Sequence, residues 1–249
     1  MLIAGFPAGP WGTNCYVVAT GAGAECVIID PGKDATAGVE HVVREHNLKP
    51  VSVLLTHGHV DHMWCVTPVA GAYDATAYIH PKDRHLLADP MQGMSAETTS
   101  MMLGGKYEFV EPDRVEELAD NQIIELAGVQ FTVDHTPGHT EGSVTFRTPY
   151  VDSTSSTTGG GSTAEAVEQL MFSGDLLFQG SIGRTDLPGG DHAKMLTSLR
   201  QKVLTLPDNI VVLPGHGEQT DIGRERRTNP FLLELIDDLP GAAAPTRGL

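Results

Sequence analysis

The stretch Thr56-His57-Gly58-His59-Val60-Asp61-His62 constrains this chain more than any other. It sets three imidazoles and a carboxylate within seven residues, directly after the apolar run 51–55, which reads as a buried strand. Neutral imidazole and carboxylate are the side chains that hold zinc and other borderline divalent metals. A histidine-rich turn at a strand end therefore predicts a metal site, and a fold whose strand ends carry the chemistry. A lone histidine, by contrast, reads as a surface or hydrogen-bonded core residue. His41, His46, His80, His85, His135 and His192 are taken that way.

Three further segments repeat the pattern. Phe131-Thr132-Val133 runs into Asp134-His135-Thr136-Pro137-Gly138-His139, Leu170-Met171-Phe172 into Ser173-Gly174-Asp175, and Ile210-Val211-Val212-Leu213 into Pro214-Gly215-His216. Each is an apolar strand, a glycine-containing turn and one candidate ligand. Sites in open α/β folds lie at the carboxyl ends of strands, so four such ends can converge on one cleft. The candidates are His57, His59, Asp61, His62, His139, Asp175 and His216. Seven exceed one tetrahedral metal and suit two if a carboxylate bridges.

The rest of the chain bounds the function. Sixteen basic against 32 acidic residues leave a formal charge of −16, with no basic run. That balance argues against nucleic-acid or anionic-membrane partners and reads as solubility. Three cysteines, Cys15, Cys26 and Cys65, form no Cys-x-x-Cys pair and suggest buried thiols in a reducing, cytoplasmic setting. Cys65 follows His62 by three residues, but reads as core. The opening residues lack a basic leader pattern, and no 18-residue apolar stretch predicts a membrane span.

Short strands and helices alternate through both halves. Strands are expected at 14–19, 26–29, 51–55, 75–79, 123–126, 129–133, 143–147, 170–172 and 210–213. Helices are expected at 35–46, 61–71, 82–88, 192–206 and 224–239. The economical architecture is α/β: two sheets face to face with helices outside, a four-layer αββα sandwich forming one domain over residues 1–240. Residues 150–168, rich in Ser, Thr and Gly, read as a flexible insertion, and 241–249 as a loose tail. Residues 90–108, with Met91, Met94, Met101 and Met102, read either as a gap-filling helical segment or as a lid over an apolar pocket.

Taken together, these residues resemble the metallo-β-lactamase superfamily over nearly the whole chain. Asp30 in Ile28-Ile29-Asp30-Pro31-Gly32 is similar to the family's first motif, residues 56–62 to the second, His139 to the third, Asp175 to the fourth and His216 to the fifth. The resemblance implies one metal on His57, His59, His139 and Asp175, and a second on Asp61, His62, His216 and Asp175. Asp30 would orient the ligand loop without binding metal. Within the superfamily the chain looks like the short glyoxalase II-like hydrolases, through Phe172-Ser173-Gly174-Asp175, Gly180–Asp186, Pro214-Gly215-His216-Gly217 and Asn229-Pro230-Phe231-Leu232. True β-lactamases of the superfamily usually carry a cysteine or another ligand at the Asp175 position. Full-length glyoxalase II has an additional helical C-terminal domain that contacts glutathione. This chain stops soon after Leu239, which leaves its carrier thiol open. Where family members often have small residues after the second motif, Met63-Trp64 stands here, and Trp64 reads as core.

The implied activity is hydrolysis of a small-molecule thioester such as an S-2-hydroxyacyl-thiol by a metal-bridged hydroxide. Two divalent ions are implied, zinc first, with iron or manganese as alternatives. Asp61 would orient the nucleophile or accept its proton. Arg184 would meet a substrate carboxylate, or else pair with Asp186. The rival reading is a persulfide dioxygenase with a single iron on His57, His139 and Asp175. The complete second set, Asp61, His62 and His216, favours the hydrolase.

Overall fold

The computed structural model describes residues 1–102, 107–150 and 169–237. The first half contributes β1 (Leu2–Ala8), β2 (Thr13–Ala19), β3 (Glu25–Ile29), α1 (Ala35–Glu45), β4 (Lys49–Leu54), α2 (Val60–Met63), α3 (Val66–Tyr73), β5 (Thr76–Ile79), α4 (Ala96–Met102) and β6 (Val115–Glu117). Its strands form one six-stranded sheet in the order β1-β2-β3-β4-β5-β6. The second half contributes β7 (Ile123–Leu126), β8 (Val129–His135), β9 (Val144–Pro149), β10 (Gln169–Gly174), β11 (Leu177–Phe178), β12 (Ser181–Ile182), α5 (His192–Ser198), β13 (Val211–Pro214), β14 (Thr220–Asp221), α6 (Ile222–Thr228) and α7 (Pro230–Asp237). The second sheet runs β14-β13-β10-β9-β8-β7, and β11 and β12 pair in a small ribbon beside it.

The period-2 alternation of side chains along a strand explains why two sheets and two helical layers stack. In β2, Cys15, Val17 and Ala19 face outward onto α1–α3, while Tyr16 and Val18 face the other sheet. In β3, Cys26 and Ile28 face the helices, and Val27 and Ile29 the interior. Across the gap, Phe131, Val133, Phe146, Leu170 and Phe172 point back. On the far side Met171 and Val212 meet Met195, Ile222, Leu232 and Leu235 of α5–α7. Three apolar cores thus separate four layers, the αββα sandwich expected from the sequence. The cysteines are free and buried in the helix-facing core, as read.

Several boundaries differ for identifiable reasons. The helix expected at 61–71 breaks into α2 and α3, because the Cys65 N–H turns aside to the Pro31 carbonyl at 2.9 Å. The helix expected at 224–239 restarts at Pro230, which has no N–H to continue α6. The Asn229 side chain instead accepts from Phe231 N at 3.1 Å. Residues 82–88 form only a tight turn at Arg84–Leu87, and α5 ends at Ser198 in a wider π-helical turn, Leu199–Val203. Strand β1 was not anticipated. It is an edge strand with Gly5 and Pro7 interrupting its pattern, and a Cβ at Gly5 would come within 2.8 Å of the Tyr16 ring. Most of the expected insertion at 150–168 and the tail at 241–249 lie outside the described residues.

Candidate metal centre

Strand directions bring the candidate ligands to one edge. β13 is parallel to β10, and β8 reaches β10 through two antiparallel pairings with β9, so all three end on the same side. Their turns deliver His216, Asp175 and His139. The loop after β4 supplies His57 and His59, and α2 supplies Asp61 and His62. The turns must be glycine. A Cβ at Gly215 would sit 2.3 Å from Asp175 Oδ1 and 2.6 Å from His62 Cε1.

All seven candidates meet there, in two clusters linked by a third group, His57, His62 and Asp175. Ligand atoms of His57, His59 and His139 lie within 4.8 Å of one another, as do those of Asp61, His62 and His216. Asp175 stands between them. Its Oδ2 is 3.4 Å from His139 Nε2 and 3.7 Å from His216 Nε2, and its Oδ1 is 3.3 Å from His62 Nε2. Asp61 Oδ2 lies 3.1 Å from His216 Nε2.

The remote ring nitrogens of His62, His139 and His216 are held by acceptors, which fixes which nitrogen faces the centre. His139 Nδ1 donates to the Arg184 carbonyl at 2.7 Å and His216 Nδ1 to the Trp11 carbonyl at 3.2 Å. His62 Nδ1 donates to Asp30 Oδ2 at 2.9 Å. Asp30 also accepts from Thr56 N at 2.8 Å and Thr56 Oγ1 at 2.6 Å, so it braces the whole histidine loop without entering the cluster. Inward nitrogens crowd against each other: His59 Nδ1 and His139 Nε2 lie 2.8 Å apart, His62 Nε2 and His216 Nε2 3.3 Å. Among the site residues, buried His57 Nε2, His59 Nε2 and Asp175 Oδ1 have no hydrogen-bond partner. Buried acceptors without donors are costly, and a shared cation is what such a donor set fits.

Electrostatics agree. Burial, reinforced by the neighbouring imidazoles, holds His57 far below the usual histidine range; burial and His139 push His59 down to about 3. Both are neutral and ready to ligate. Burial alone would raise Asp61 and Asp175, but the facing histidines outweigh it and keep both ionised. Burial would likewise depress His62, yet Asp175, Asp61 and Asp30 raise it well above the usual histidine range.

A cleft of about 460 Å³ opens over the cluster. Its walls are largely apolar, from Trp11, Val60, Met94, Phe178, Ile182 and Leu187. Met94 is buried against the helix-facing core and also lines the cleft, so it supplies a wall as well as filling space, while residues 103–106 and the side chains of Met101 and Met102 lie outside the described residues. Arg184 lines the mouth, but its Nε and one Nη donate to Asp186 at 2.7 and 2.8 Å. Trp64 lies outside the cleft, half-buried beside Trp11, Tyr107 and Phe109, with Lys33 over its ring. Sequence reasoning missed Trp11, which acts through its carbonyl, and Thr13, whose hydroxyl donates to Asp61 at 3.2 Å. It also missed buried Asp83, which ties two ligand loops together.

A family model for the metallo-beta-lactamase superfamily matches residues 8–154 and 153–216. The chain belongs to this superfamily. A Mycobacterium tuberculosis protein, Rv2581c, is 43% identical over 93% of this chain and 98% of its own length. Haemophilus influenzae hydroxyacylglutathione hydrolase GloC is 34% identical over 82% of this chain and 86% of its own. Among solved structures, BLEG-1 B3 metallo-beta-lactamase is 38% identical, covering 93% of this chain and 99% of its own with a TM-score of 0.75. TTHA1623 in a di-iron-bound form is 34% identical, covering 93% and 100% with a TM-score of 0.69. The superfamily is one of metal-dependent enzymes, and no helix among the described residues is long and apolar enough to cross a membrane.

Proposed function

We propose that the protein is a dinuclear metal-dependent hydrolase of small-molecule thioesters, glyoxalase II-like, acting in the cytoplasm. The observation that carries the reading is the pair of clusters flanking Asp175. His57, His59 and His139 would hold one ion, Asp61, His62 and His216 the other, and Asp175 would bridge. Zinc suits this donor set, and the di-iron form of TTHA1623 makes iron the principal alternative. When bound, such a pair supplies a nucleophilic water at neutral pH and polarises a carbonyl oxygen.

The chain's own residues do the rest. Asp61, ionised and held by a hydrogen bond from Thr13 Oγ1, points its carboxylate at the centre, where it orients the attacking water or accepts its proton. The apolar walls exclude bulk water and favour an uncharged acyl chain. A thiolate departs without an acid catalyst, because thiol pKa values lie near 8.5. Thioester cleavage therefore demands nothing that this cleft lacks. GloC is named for hydrolysis of a hydroxyacyl thioester of glutathione, which supports the class.

Protein purified without added metal or chelator should carry about two metal atoms per chain and cleave S-hydroxyacyl thioesters. The dioxygenase reading uses only His57, His139 and Asp175 and leaves Asp61, His62 and His216 without a task. About one iron per chain, with oxygen uptake on glutathione persulfide, would replace the hydrolase reading. A β-lactam belongs in the same panel, since BLEG-1 bears the name of a β-lactamase. Turnover of the β-lactam alone would equally sink the thioester assignment.

A further inference from the structure

Asp83 lies outside every motif, yet the residue is 1% exposed. It immediately precedes the tight turn Arg84–Leu87 between β5 and α4. Its Oδ2 accepts from Gly58 N at 2.9 Å and from Thr140 Oγ1 at 2.6 Å, and its Oδ1 accepts from Gly142 N at 2.7 Å. Gly58 sits between His57 and His59, and Thr140 follows His139. One side chain therefore joins the histidine loop of the first sheet to that of the second. No basic side chain pairs with it among the described residues, so its charge rests on these three donors. The neighbouring backbones are shaped to reach it. A Cβ at Gly142 would stand 2.5 Å from Asp83 Cγ, and one at Gly58 3.0 Å from the Asp83 carbonyl oxygen.

We propose that Asp83 is a positioning residue for the ion held by His57, His59 and His139, clamping His59 against His139 from outside the cluster. The inference rests on the dinuclear reading above. Asp30 does the equivalent for the other cluster through His62. Asp30 also reaches His57, because Thr56 Oγ1, which donates to it, lies 3.1 Å from His57 Nδ1. Asp30 therefore acts mainly on the second ion and weakly on the first, whereas Asp83 acts on the first.

The chemistry of Asp83→Asn defines the test. The amide keeps a single acceptor oxygen. If it serves Gly58 and Thr140, the NH2 meets the Gly142 N–H; if it turns over, it loses two donors. The clamp loosens either way. Metal-free protein is titrated with cobalt against a chromophoric chelator, and the shifted imidazole N–H proton signals of the cobalt protein are followed. Asp83→Asn should weaken one cobalt about 10- to 100-fold and displace the His139 N–H signal, leaving the His62 signal in place. Asp30→Asn should weaken the other cobalt more and displace the His62 signal. Thr140→Val removes only one hydroxyl from the clamp. It should shift affinity at the same site by a smaller factor, and it decides the matter if Asp83→Asn fails to fold. Wild-type affinities in folded variants, or equal loss at both sites, would overturn the proposal. A wild-type chain that takes up only one cobalt sinks the dinuclear reading instead, and Asp83 is then judged on that single ion.

Discussion

Replacing Asp30 by Asn should uncouple stability from metal binding in a readable way. Asp30 is buried, and its φ of 49° lies in the left-handed region, which Asn tolerates better than most residues. The backbone cost of this near-isosteric change is therefore small, and the effect is electronic. The carboxylate accepts three hydrogen bonds, two from Thr56 and one from His62. Bonds to a charged group contribute about 1.5–3 kcal/mol each and neutral ones about 0.5–1.5. Relief of a buried charge offsets part of that difference, leaving a net loss of about 1–3 kcal/mol in the metal-free protein. The second effect is tautomeric. With an NH2 facing Nδ1, His62 must accept there and carry its proton on Nε2. That nitrogen points at Asp61 Oδ2, Asp175 Oδ1 and His216 Nε2, 3.6, 3.3 and 3.3 Å away. A protonated nitrogen cannot ligate. Affinity for one of two ions should fall about 10- to 100-fold, equivalent to about 1.4–2.7 kcal/mol. Denaturant unfolding of metal-free protein and chelator competition measure the two effects separately. A variant destabilised as expected, yet binding both ions within about twofold of wild type, would refute the tautomer argument.

Other outcomes follow from the same geometry. His62 holds its proton to unusually high pH in the metal-free protein, so metal loading near neutrality should release protons. Calorimetry in buffers of different ionisation enthalpy measures that release, and a buffer-independent heat would contradict it. Burial, then His135 stacked on it at 4.0 Å, pushes His80 down to about 4. The unfolded chain binds this proton first, so between about pH 6.5 and 4 stability falls as pH falls. In metal-free protein His80→Phe should flatten that part of the profile relative to wild type, and an unchanged slope would exclude His80 as a source. Arg184 is spent on Asp186 in an exposed pair, so Arg184→Ala should leave KM for an uncharged thioester within about twofold. Asp186→Asn, which frees the guanidinium, should lower KM for a carboxylate-bearing thioester by up to about fivefold. No difference between the two substrates would remove Arg184 from the binding site.

The candidate ligands were legible because each is announced locally. An apolar run, a glycine and a histidine or aspartate mark a strand end within a few residues, as at Gly174-Asp175 and Gly215-His216. The hairpin at Ala127-Gly128 was legible for a similar reason: both residues have positive φ, as a two-residue turn requires. What escaped acts at a distance or through the main chain. Trp11 reaches His216 with its carbonyl across 205 positions, and any residue type carries a carbonyl. Asp83 takes two of its three donors from glycine N–H groups, 25 and 59 residues away. No spacing rule connects them. Edge strands such as β6 and β14 have three and two residues, too few for an alternation to register.

Charge explains why buried carboxylates without a catalytic task surround this centre. If the histidines ligate as neutral rings, the two clusters contribute only the charges of Asp61 and Asp175. Two divalent ions would then leave a large positive excess in a poorly solvated site, and such excess is expensive. Asp30 and Asp83 are each nearly fully buried and each sit behind a histidine loop. Counted together, the four carboxylates balance two divalent cations. In their absence a proton on His62 makes up part of the difference, which is why that imidazole alone among the fully buried histidines is driven upward while His57 beside it is driven down. The outer aspartates therefore have two inseparable effects. Their oxygens aim the rings by hydrogen bonding, and their charges make divalent ions tolerable where they are aimed. Asn at either position removes the charge and sets an NH2 against a ring nitrogen or a backbone N–H, weakening both effects while nearly keeping the shape, which is why it should preserve the fold better than it preserves the metal.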